Sequence, residues 1–116
     1  MKLSFVEFDA TIREVESENN PEAWGDDGRA MGSRQEHPAF VAQWFPSIHW
    51  RLAMKWDDVT RGALLAFYNR AVADGVDDVD AAVGFHLHGQ PHGNAGDSPD
   101  YAQRFREAAA RLGYAL

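Results

Sequence analysis

The stretch Val15-Glu16-Ser17-Glu18-Asn19-Asn20-Pro21-Glu22-Ala23-Trp24-Gly25-Asp26-Asp27-Gly28-Arg29-Ala30-Met31-Gly32-Ser33-Arg34-Gln35 carries more local information than any other part of the chain. Upstream of it, Phe5, Phe8, Ile12 and Val15 recur at helical spacing and form an apolar stripe, so Leu3 to Val15 reads as an amphipathic helix with Ser4 as its N-cap. The helix stops at the Glu16-Ser17 pair. Asn19-Asn20-Pro21 turns the chain, and Gly25, Gly28 and Gly32 punctuate the loop beyond it. Asp27-Gly28 is a tight-turn signal, which predicts a short glycine-rich loop or a minimal β-hairpin. From Glu14 to Asp27 the chain carries six carboxylates and no basic residue. Like charges and apolar neighbours both disfavour the ionised form of a carboxyl. Glu16 stands where a buried helix meets this loop, which makes it the candidate proton donor. A solvated acidic turn is the plainer reading of the same residues.

The order of these features is written E-S-x-x-N-P-x-A, then G-x-A-x-G, then Q. It resembles the signature of the lysozyme-like superfamily, in particular its SLT-type lytic transglycosylase and phage-type muramidase domains. The resemblance implies a mainly α, small lysozyme-like domain over residues 1–116. About five helices are expected in it, with a short glycine-rich loop or minimal β-hairpin. It implies an enzyme that cleaves peptidoglycan glycan strands at the β-1,4 bond following N-acetylmuramic acid, without a cofactor. Glu16 would be the general acid, Ser17 a support residue beside it, and Gln35 part of the sugar-binding cleft. Ser33-Arg34 stands where relatives carry an apolar pair, a departure that bears on local packing.

The likeness continues downstream. His37-Pro38 opens a short helix after the Gln, as in phage-type relatives. Gly89, Pro91 and Gly93 keep the skeleton of the relatives' Asn-Gly-Pro type turn, with His88 in place of the usual Asn. His88 and Gln90 are therefore expected on the cleft, with His88 placed to hydrogen-bond a sugar or Glu16. Tyr101 and Phe105 match the Tyr-x-x-x-Phe step of the last helix, where the family Tyr points at the catalytic Glu. An inverting hydrolase needs a second carboxylate about 6.5–9.5 Å from the first. Asp26 and Asp27 are the candidates close in sequence; without one, the sugar's own hydroxyl completes a transglycosylase reaction. The alternative is a catalytically degenerate module that binds glycan or serves a virion or secretion machine structurally, supported by His88 and Ser33-Arg34.

A chain of 116 residues suffices for one compact core. It holds no cysteine, hence no disulfide framework and no thiolate metal site. The net charge is −7, with 6 basic and 11 acidic residues up to Asp58 and 5 and 7 beyond it. Without a basic run, nucleic acid is not an expected partner. The start of the chain does not read as a secretory signal and no run is long enough to span a bilayer. The expected partner is the glycan strand, reached from the cytoplasm through a virion, a holin pore or a secretion route.

Residues 46–56 read as irregular cleft wall or a broken helical turn. Asp57 or Asp58 is expected to cap a long helix to about Ala73, with Leu64, Leu65, Phe67, Tyr68 and Val72 on its apolar face. Asp77 or Asp78 caps the next helix, and Ser98-Pro99 opens the last. One of Trp24, Trp44, Trp50 and Trp56 is expected to stack on sugar, the others to fill core. His86, His88 and His92 raise a metal site, but i and i+2 do not share a helix face, so no metal is expected.

Overall fold

A computed structural model describes residues 1–116, the side chain of Asp27 excepted. Among the described residues the fold is mainly α: helices α1 (Phe5–Ser17), α2 (Pro38–Trp44), α3 (Ile48–Ala53), α4 (Trp56–Ala73), α5 (Asp78–His88) and α6 (Pro99–Arg111). A two-stranded antiparallel hairpin, β1 (Trp24–Gly25) and β2 (Ala30–Met31), interrupts them between α1 and α2. Of the two expected forms, loop or minimal hairpin, the chain takes the hairpin, closed by a 3₁₀ turn at Asp26–Gly28.

Helix α1 starts as its sequence dictates. Ser4 accepts from the Glu7 N–H and the Glu7 side chain accepts from the Ser4 N–H, a complete capping box. Phe8 and Ile12 face the core, while Phe5 and Val15 are half-buried at its edge. Helix α4 packs on α1 and α2, and α6 packs on α1 and α5. Leu64 and Phe67 of α4, Val83 of α5, and Tyr101 and Phe105 of α6 meet Phe8 and Ile12 in one cluster. Beside it Phe40, Trp44, Phe67 and Phe85 pack edge-on or tilted, with Phe40 and Phe85 centroids 5.1 Å apart.

Helix α5 is the central element. It is buried on every side from Asp78 to Phe85 except at half-buried Asp80, then emerges so that His86, Leu87 and His88 are exposed. At its start Asp77 caps the helix through the Val79 N–H. Asp78 does something else: it is buried and accepts the Lys2 and Leu3 N–H groups at 2.7 and 3.1 Å. At the other end Gly84 and Gly93 face each other so closely that a Cβ on either would overlap backbone of the other.

Three expectations are corrected. Residues 48–53 form a sixth helix, α3, none of whose residues is buried. Helix α4 begins one residue early, with Lys55 at the N-cap position, so Asp57 and Asp58 lie in its first turn. There they complement the helix dipole without capping. Val72 is 48% exposed, off the apolar face, because that face turns with the helix toward Phe67 and Ala71. As expected, Ser98 holds the N-cap position of α6 with Pro99 after it, although the Ser98 side chain makes no capping bond.

Candidate active site

An open groove of about 730 Å³ runs between the C-terminal ends of α1 and α5 on one side and the segment from the hairpin to α2 on the other. Glu16, His86 and His88 line the first wall; Asp26, Gln35, Glu36, His37 and Gln43 line the second. Local sequence explains each approach. Helix α1 ends when Glu18 and Asn19 take left-handed backbone, φ +53° and +59°, which leaves Glu16 in its last turn. Helix α5 ends at Gly89, φ +66°, which leaves His86 and His88 in its last turn.

The Glu16 side chain is 10% exposed. Its Oε1 lies 3.2 Å from His86 Nδ1, the two sharing a hydrogen bond. The His86 ring is stacked on Tyr101, centroids 4.1 Å apart and planes 11° off parallel. Tyr101 is fully buried, and burial, then the nearby Glu16 carboxylate, push its phenol well above the ordinary range. Its hydroxyl makes no hydrogen bond of ordinary geometry among the described residues. The phenol thus stays neutral behind the carboxyl and supports the imidazole from below.

Gln35 holds left-handed backbone at φ +49°, costly for a residue with a side chain. Its Nε2 donates to the Gly32 carbonyl at 2.9 Å, and its Oε1 occupies the space where Gly25 lacks a Cβ. Gly25 therefore makes room for the Gln35 side chain. Asp26 is half-exposed at the rim and pairs with His37 at 3.0 Å and Arg29 at 3.3 Å. The side chain of Asp27 lies outside the described residues.

Ser17, Gln90 and Tyr101 do not line the groove. Ser17 ties the end of α1 to the loop, its hydroxyl donating to the Ser33 carbonyl at 2.6 Å and accepting from Asn20 N–H at 3.0 Å. None of the four tryptophans lines the groove. Trp44 and Trp56 are half-buried, their Nε1–H groups donating to the Gly89 and Met31 carbonyls, while Trp24 and Trp50 are 68% and 66% exposed elsewhere. The three histidines also separate: His86 to Glu16, His92 to Asp74 at 2.6 Å, His88 to the groove.

Arg34 and Glu36 flank Gln35 and are both buried, at 2% and 1% exposure. The Arg34 guanidinium grips Asp9 of α1 through two hydrogen bonds of 2.6 and 2.9 Å. It also donates to Asp57 and Thr60 of α4 at 3.0 Å. Where the resemblance led to an expectation of apolar packing, this chain has a buried ion pair. Glu36 has no such partner. Neither carboxyl oxygen makes a hydrogen bond among the described residues. Burial holds this carboxyl well above the usual range, opposed by Arg34 and reinforced by Asp9 and Asp57. Sequence reasoning missed Glu36 because its neighbours Gln35 and His37 are polar and nothing local signals burial. It also took His88, not His86, as the residue beside Glu16. Side chains two residues apart on a helix point about 200° apart, so the choice depends on how the helix is rotated in the fold.

No family model, no curated protein and no solved structure matches the chain.

Proposed function

We propose that the groove binds a peptidoglycan glycan strand and cleaves it, as a lytic transglycosylase or muramidase of lysozyme-like type. The observation carrying this reading is that Glu16, Asp26 and Gln35 of one stretch meet His88, from the end of α5, on one open groove. The resemblance of the Glu16–Gln35 stretch supplies the reaction class.

In this reaction the Glu16 carboxyl protonates the glycosidic oxygen between N-acetylmuramic acid and N-acetylglucosamine, and the anomeric carbon–oxygen bond breaks. In the transglycosylase route the muramyl C6 hydroxyl then attacks the anomeric carbon and returns its proton to Glu16. In the hydrolase route water attacks, with Asp26 as the acceptor of its proton. His86 orients the Glu16 carboxyl in both. The enzyme reaches the wall through a virion, a holin pore or a secretion machine.

Digestion of purified sacculi by wild type and Glu16→Gln, with products identified by mass, tests this. The expected result is a fall of about a hundred- to ten-thousand-fold in product release for the variant. Anhydro-muropeptides establish the transglycosylase, reducing-end products the hydrolase. The second reading, a non-catalytic glycan-binding or structural module, is favoured by the engagement of the Glu16 carboxylate by His86. No release from either protein overturns the enzyme and leaves this second reading.

A further inference from the structure

Glu36 is a carboxyl that the proposed chemistry does not use. It is 1% exposed, it is among the residues lining the groove, and both its oxygens lack hydrogen-bond partners among the described residues. A buried polar group without partners is destabilising, and such groups in folded proteins generally have a role or a ligand. The nearest cation does not serve as partner, since the Arg34 guanidinium is committed to Asp9, Asp57 and Thr60. The backbone around Glu36 is fixed: its carbonyl accepts the Met31 N–H at 3.2 Å, extending the hairpin edge, and α2 starts two residues later. The backbone that carries the Glu36 side chain is therefore held in place before any ligand arrives.

We propose that Glu36 is a specificity residue of the groove, whose carboxyl forms paired hydrogen bonds with a secondary amide, the N-acetyl group of an amino sugar. The inference rests on the glycan reading of the groove. A neutral carboxyl carries one O–H donor and one carbonyl acceptor side by side, and an amide offers the matching acceptor and donor. Such a pair satisfies both oxygens at once without bringing a charge into the groove. An ionised carboxylate would have the opposite preference, for a cationic sugar amine over its acetylated form. Discrimination between these two ligands thus reports on Glu36 itself. A buried site that hydrogen-bonds a ligand group rejects the analogue lacking it, because its own polar atoms are then left without partners.

Calorimetric titration of wild type, Glu36→Gln and Glu36→Ala with tri-N-acetylchitotriose and with its deacetylated trimer tests the proposal. Wild type is expected to prefer the acetylated trimer. Glu36→Gln, whose amide also offers a donor and an acceptor, retains that preference. Glu36→Ala loses about tenfold in affinity for the acetylated trimer and little for the deacetylated one. A measurement on wild type alone accompanies it: the carbonyl stretch of the buried carboxyl, assigned with isotope-labelled glutamate, shifts when acetylated trimer saturates the protein. A folded Glu36→Ala with unchanged preference, or a carboxyl band that saturating ligand does not move, overturns the role of Glu36 and leaves the glycan reading standing. A wild type that binds neither trimer overturns both.

Discussion

Two neighbouring residues in the second wall of the groove carry tension of different kinds. Gln35 holds a left-handed backbone that costs about 1–3 kcal/mol for a residue with a side chain. Such strain persists only where the surroundings impose it, here the Gly32 carbonyl and the space beside Gly25. Gln35→Gly is expected to hold or raise the melting temperature while glycan cleavage falls at least tenfold, read by paired thermal melts and digestion assays. Glu36 carries its tension as a carboxyl without hydrogen bonds in a site that resists charge. Its folded pKa is raised, by burial first and by Asp9 and Asp57, against the pull of Arg34. Below the unfolded value of about 4.3 both states are neutral; above it the unfolded chain ionises while the folded one does not. Stability is therefore lost progressively as pH rises from that value through the folded pKa. Glu36→Gln removes this dependence. The variant should melt above wild type at pH 7 and level with it near pH 4; equal differences at both pH values would contradict the assignment.

At the scale of elements, α5 decides the geometry of the site. Its first two turns are enclosed by α6 and the core, and its last turn delivers His86 and His88 to the groove. The register of that last turn depends on Gly84 and Gly93 lying in contact, with the Asp80 side chain accepting the Ala95 N–H at 2.8 Å just beyond. A methyl group at either glycine meets backbone, which has no rotamer to yield. Gly84→Ala and Gly93→Ala should each destabilise by about 1–3 kcal/mol or more, measured by urea unfolding. Gly75→Ala is the useful contrast. It meets no atom, so its cost is only that of left-handed backbone, about 1 kcal/mol.

Across the whole molecule, Arg34 links the loop that carries Gln35 to both α1 and α4. It is the tie between the two walls' supports, and it is made of buried charge. Removing one partner strands the other in a medium that disfavours it. Arg34→Met is expected to cost about 3–5 kcal/mol, because Asp9 is left buried with only the more exposed Arg13 at 3.3 Å. The double variant Arg34→Met with Asp9→Leu should recover most of that loss, since apolar packing replaces a buried pair at little net cost. Additive single effects in the same unfolding assay would show that the two residues do not act as a pair.

Sequence alone indicated the mainly helical fold, the Ser4 cap of α1, a glycine-rich loop or minimal hairpin after it, and a cap of α5 at Asp77 or Asp78. These depend on residues within a few positions of one another, where periodicity, caps and turn chemistry act. It also singled out Glu16, Asp26, Gln35 and His88, which the fold brings to one groove. Only the tertiary structure decided that His86 meets Glu16, that Asp78 holds the first residues of the chain, and that Arg34 and Glu36 are buried on either side of Gln35. It likewise decided that no tryptophan lines the groove, although aromatic content is plain in the sequence. The reason is physical. Burial and pairing of a charged residue depend on which distant element covers it, and a local pattern contains no term for that distance.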